Sequence, residues 1–96
     1  MRAVKRLLYW ILVGSAGGFN RGRILQELIK TPRNANELAT ILQLDYKTIR
    51  HHLEVLEKNH LITAMKIGYG GVYFPSDLLE ENMHLFKEIW GKIGKN

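Results

Sequence analysis

Ninety-six residues with 46% apolar side chains make one small domain with a single core, and a formal net charge of +5 points to an anionic partner. The absence of cysteine excludes disulfides, zinc–thiolate sites and thiol catalysis, and it fits a reducing, cytoplasmic setting. The charge is uneven: residues 1–35 carry seven Lys/Arg against one acid, Glu27, whereas residues 36–75 carry four of each.

The chain opens on basic MRAVKR followed by the apolar run LLYWILV. Seven apolar residues lie at the lower limit for a secretory leader and far short of the ~20 that span a bilayer. A helix over residues 3–13, buried on most sides, is the expectation, with no membrane partner. Leu7, Leu8, Trp10, Ile11 and Leu12 cover more than one stripe of it, and a second subunit is the simplest cover. GSAGG reads as a connector. Asn20 is expected to cap a second helix, with Ile24, Leu25, Leu28 and Ile29 inward and Thr31-Pro32 at its end.

Asn34 and Glu37 have the N-x-x-E spacing of a capping box, which starts a third helix with Leu38, Ala39, Ile41 and Leu42 on its buried side. Asp45 should cap a fourth over 46–58, its carboxylate at the positive end of the helix dipole. Asn59-His60 closes that helix, since both residue types tolerate positive φ. Ile62 to Ile67 and Val72 to Phe74 read as two strands joined at GYGG. Ser76 should cap one last helix, where Leu79, Met83, Phe86, Trp90 and Ile93 recur at spacings of four and three, the seam of a packed helix pair. The whole is mainly α with a small β-hairpin: about five helices plus a two-stranded wing, one winged helix-turn-helix domain over 1–96. Residues 34–59 form the helix-turn-helix and 61–75 the wing; 1–13 and 76–93 are dimerisation helices.

At 100° per residue, Ile49, Leu53 and Leu56 form the buried stripe of the fourth helix, and Lys47, Arg50, His51, Glu54 and Lys58 lie opposite, with Tyr46 and His52 at the borders. Arg50 is the best base reader, because a guanidinium can grip guanine at two points. Lys47 and Thr48 suit phosphate near the helix start, and Tyr46 and His51 suit either task. His52 reads as a packed, hydrogen-bonded side chain in preference to a phosphate donor. Glu54 either accepts from cytosine or pairs with Lys58. In the wing, Lys66 and Tyr69 are placed to touch the backbone or minor groove, while the glycines at 68, 70 and 71 serve close approach or simply the turn.

The segment RGRILQELIKTPRNANELATILQLDYKTIRHHLEVLEKNHLI, residues 21–62, resembles the winged helix-turn-helix regulators of the ArsR-like group, and the wing extends the likeness to about residue 75. The resemblance implies homodimers joined through their first and last helices, here Leu7, Trp10, Ile11, Met83, Phe86 and Trp90. It implies that Tyr46, Lys47, Thr48, Arg50 and His51 face the major groove, and that Arg21 or Arg23 touches phosphate. Two departures stand out. His60 occupies a usual glycine position, and Ala39 and Ile41 stand where metal-sensing members have a cysteine pair. His84 has no second ligand at useful spacing, so neither a metal nor any other cofactor is expected.

The leading expectation is therefore a homodimer that binds double-stranded DNA sequence-specifically and regulates transcription, with residues 46–58 in the major groove and 66–72 on the backbone or minor groove. The alternative is a winged-helix protein-interaction module without operator binding, supported by the neutral middle and apolar ends. Catalysis lacks a converging site: no Ser-His-Asp logic and no phosphate-cradling glycine loop is present. A small-molecule effector between Trp10 and Trp90 is conceivable, but no residue requires one.

Overall fold

The computed structural model describes residues 2–68 and 70–93. The first helix, α1 (Arg2–Tyr9), widens into a π-helical turn over Trp10–Gly14 and does not continue as an α-helix to residue 13. Ser15 ends the turn in extended backbone, its hydroxyl donating to the Trp10 carbonyl at 2.8 Å.

Helix α2 (Gly18–Lys30) begins three residues earlier than an Asn20 cap would place it. Gly17 is the N-cap at φ 84°, a left-handed conformation that glycine adopts at little cost, and its carbonyl accepts from the Arg21 N–H. Asn20 instead lies inside the helix and accepts from Arg23.

Helix α3 (Ala35–Leu42) has both halves of its capping box: Asn34 Oδ1 accepts from the Glu37 N–H and Glu37 Oε1 from the Asn34 N–H. Gln43 turns the chain at φ 56°, and α4 (Tyr46–Lys58) starts on Asp45, whose carboxylate accepts from the Lys47 and Thr48 N–H groups. At the other end His60 takes φ 62°, the conformation that explains a glycine preference at this position. Strands β1 (Ile62–Ile67) and β2 (Gly70–Pro75) pair antiparallel in the register Ile62↔Pro75 to Ile67↔Gly70. The returning strand is thus longer than the expected 72–74.

The last segment is two helices, α5 (Asp77–Glu81), capped by Ser76, and α6 (Met83–Ile93). Asn82 separates them, its side-chain amide donating to the Leu78 carbonyl and so competing with the backbone ladder.

One core joins all helices and the hairpin, centred on Leu8, Ile11, Leu25, Leu38, Ile49 and Leu79, each fully buried. Three residues expected to face a second subunit belong to it: Ile11, Phe86 and Trp90. The physical reason is local. Gly22 on α2 offers a bare backbone, and the Trp90 ring lies so close that a Cβ there would meet Cζ3 at 2.1 Å. Phe86 stacks on the same indole at 6.2 Å between ring centroids. The helical seam is real, but it closes within the subunit. Leu7 and Met83 are half-buried against the core, and Trp10 is half-exposed. With Tyr9, Val13 and Phe19 it forms the exposed apolar set around the π-turn.

Candidate nucleic-acid interface

Ile49, Leu53 and Leu56 anchor α4 in the core, and His52 joins them at 5% exposure. Opposite, Lys47, His51, Glu54 and Lys58 form an exposed crest. Glu54 and Lys58 do not pair; the ion pairs among the described residues are Lys5–Glu88 and Lys30–Glu27. The crest cations therefore keep their charge free for a polyanion.

One flank of α4 carries Tyr46, Arg50 and Glu57, spaced by four and then seven residues and so aligned along one side of the helix. They line a cleft of about 440 Å³ whose other walls are Asn34, Asn36, Lys66, Tyr73 and the hairpin glycines 70 and 71. Arg50 is exposed, and its Nη1 donates to the Tyr73 hydroxyl at 2.9 Å. Thr48 is half-buried on the other flank. Six of the expected contacts (Tyr46, Lys47, Thr48, Arg50, His51 and Lys66) thus fall on α4 and the facing edge of the wing. Tyr69 lies outside the described residues. Tyr73 is the residue that sequence reasoning missed; strand alternation sets it apart from Val72 and Phe74 but cannot tell which face meets α4.

Of the pair Arg21 and Arg23, Arg21 is corrected, and Arg23 stays partly open to solvent. Arg21 is 3% exposed and cannot reach phosphate. Its Nε donates to the Ile11 carbonyl at 3.0 Å, its Nη1 to His52 Nδ1 at 3.3 Å and its Nη2 to Ser15 Oγ. Arg23 is half-buried and donates to Asn20 Oδ1 and to the Leu42 carbonyl at 2.9 Å. It satisfies a carbonyl left open at the end of α3. Both guanidiniums hold the fold together, one behind the recognition helix and one behind the turn.

Because arginine has only donors, His52 Nδ1 must be the acceptor, which places the imidazole proton on Nε2. Burial, the Arg21 charge and neighbouring His51 push the His52 pKa below its ordinary value of 6.5. The folded protein therefore binds this proton less readily than the unfolded chain. Stability from this group is complete above about pH 6.5 and falls on acidification through the lowered value, by at most ~1.4 kcal/mol per pH unit. Urea unfolding at about pH 7.5 and about pH 5 should show the loss, and His52→Asn should flatten that part of the profile. An equal slope in the variant would assign the effect elsewhere.

Among the described residues, no three His, Asp or Glu side chains converge as a metal site, and no helix is long and apolar enough to cross a membrane.

Residues 20–64 match the profile of the family described as bacterial regulatory protein, arsR family. No curated protein matches the sequence. Among solved structures, the chain is similar to reduced HlyU from Vibrio cholerae N16961, with 19% identity over 99% of this chain and 94% of that one and a TM-score of 0.71. It is equally similar to the transcriptional regulator HlyU from Vibrio vulnificus CMCP6, with 22% identity, coverage of 96% and 91%, and a TM-score of 0.71. A third is the homodimeric winged helix-turn-helix DNA-binding domain of Mb0332 from Mycobacterium bovis, a possible ArsR-family regulator, with 18% identity, coverage of 99% and 83%, and a TM-score of 0.73. At these identities the likeness establishes the fold, which is the winged helix-turn-helix.

Proposed function

We propose that this chain, whose residues 20–64 match the arsR-family profile, is a homodimeric regulator of that family that reads a specific double-stranded DNA sequence. The family is one of DNA-binding transcriptional regulators and not of enzymes. The observation that carries the finer reading is the α4 surface: Lys47, His51 and Lys58 are exposed and form no ion pair among the described residues, and Arg50 lines the wing cleft. In this reading α4 enters the major groove, Arg50 reads a base edge, Lys47 and Thr48 hold phosphate, and Lys66 brings the wing onto the backbone. Tyr46 and His51 complete the contact surface. Two subunits present two such heads to an inverted repeat, and the exposed Tyr9, Trp10, Val13 and Phe19 supply the apolar surface that joins them.

Selection of bound duplexes from a random pool tests this reading. The wild-type chain should enrich a palindromic motif, with affinity that falls steeply as salt rises. Arg50→Ala should weaken binding to the selected duplex by roughly tenfold or more and erase the preference at one base pair per half-site. Unchanged affinity and preference would remove Arg50 from the reading role. A second reading, a protein-interaction module, draws on the same apolar surface and on the neutral charge of residues 36–75. The absence of any duplex binding at micromolar protein and moderate salt would favour it.

A further inference from the structure

The contact between Arg50 and Tyr73 joins two elements that the proposed function treats separately, the recognition helix and the wing. Tyr73 is 8% exposed, and its backbone is held from both sides. Within the hairpin it pairs with Ala64. On the outer edge of β2 it forms an antiparallel bridge with Arg33, Tyr73 N–H to the Arg33 carbonyl at 2.8 Å and Arg33 N–H to the Tyr73 carbonyl at 3.2 Å. Arg33 immediately precedes the α3 cap, so this bridge ties the wing to the start of the helix-turn-helix. The phenol is therefore an anchored acceptor.

Arg50, by contrast, sits on an exposed stretch of α4, and no other side chain among the described residues hydrogen-bonds it. Left to itself, an exposed arginine samples many rotamers and loses that freedom on binding. The Tyr73 hydroxyl occupies one Nη1 proton and leaves Nη2, Nε and the other Nη1 proton for a base edge. One guanidinium edge is engaged and another is presented.

Resting on the DNA-reading role of Arg50, we propose that Tyr73 is a specificity-determining positioning residue: its hydroxyl holds the Arg50 guanidinium in one orientation before DNA arrives. Sequence preference at the base pair under Arg50 then depends on a wing residue that touches no base.

The test compares the wild-type chain with Tyr73→Phe, Arg50→Ala, Arg50→Lys and the Tyr73→Phe/Arg50→Ala pair, each measured on the selected duplex, on duplexes altered at single base pairs and on a mixed-sequence duplex. Tyr73→Phe keeps the ring and its packing, so its thermal midpoint and mixed-sequence affinity should stay near wild type. Its discrimination should fall roughly three- to tenfold at the single base pair that Arg50→Ala also affects, and nowhere else. The double variant should match Arg50→Ala, because a positioning hydroxyl has no effect once the guanidinium is gone. Arg50→Lys, with the charge kept but without the planar fork, should lose the same preference and gives an independent reading if Tyr73→Phe folds poorly. Full discrimination in Tyr73→Phe alongside its loss in Arg50→Ala would overturn the positioning role and leave the reading role standing. Full discrimination in Arg50→Ala would overturn both.

Discussion

The Trp10→Glu variant is expected to sediment as a monomer at micromolar concentration and to bind an inverted-repeat duplex at least ~100-fold more weakly than the wild-type chain. Trp10 is half-exposed in the isolated subunit, beside exposed Tyr9 and Val13, so a carboxylate there leaves the core untouched. Surface substitutions of this kind change subunit stability by only about 0.5 kcal/mol. In an apolar contact between subunits the same carboxylate would be buried without a partner, at a cost of several kcal/mol. The loss on DNA exceeds the loss of one contact, because two linked heads bind ~10²–10⁴-fold more tightly than either head alone. Circular dichroism of the variant should be unchanged. A variant that stayed dimeric with full affinity would place the subunit contact on another face.

Arg21→Ala should lower the stability of the fold by about 3 kcal/mol, or roughly 15 °C in Tm for a chain of this size. Three separate acceptors lose their donor together: the Ile11 carbonyl, Ser15 Oγ and His52 Nδ1. The truncation also opens a void behind α4. An opposing effect exists, since Arg21 is buried without a carboxylate in salt-bridge range among the described residues and its pKa is lowered by that burial. Removing an uncompensated cation recovers some desolvation energy. The two buried acceptors, the Ile11 carbonyl and His52 Nδ1, outweigh it, because each buried polar group left unpaired costs about 1–3 kcal/mol. Arg23→Ala is the comparison: two hydrogen bonds at a half-buried site are worth about 1 kcal/mol in total. Equal midpoints for the two variants would show that the Arg21 bracket carries no special weight.

These effects also mark the division between what could be read from the chain and what could not. The Asn34–Glu37 box and the Asp45 cap have both partners within three residues, and the Ile49–Leu53–Leu56 stripe needs only the helical period. Such features are local, and residue type at short spacing identifies them. The role of Arg21 is not local. Its acceptors stand six, ten and thirty-one residues away, and one is a carbonyl in the π-helical turn, which no side-chain pattern announces. An arginine early in the second helix therefore looks like a phosphate contact until the turn is seen. Trp90 shows a different limit. A seam repeating at four and three is the same whether its partner is another subunit or another helix of the same chain. The absence of a side chain at Gly22 decided the matter. In the wing, the alternation around Tyr73 separates two faces without indicating which one meets α4.

The Arg21 bracket has a mechanical consequence as well. It ties the π-turn, the connector and the buried face of α4 together, and His52 lies so near Gly17 that a Cβ there would meet its ring at 2.5 Å. In a dimer joined beside Trp10, the two reading helices would then stand at the ends of a stiff caliper. Flexible arms would accept half-sites over a range of separations. A caliper accepts one, and an operator with a single base pair inserted at its centre would rotate the second half-site out of reach by about a tenth of a turn.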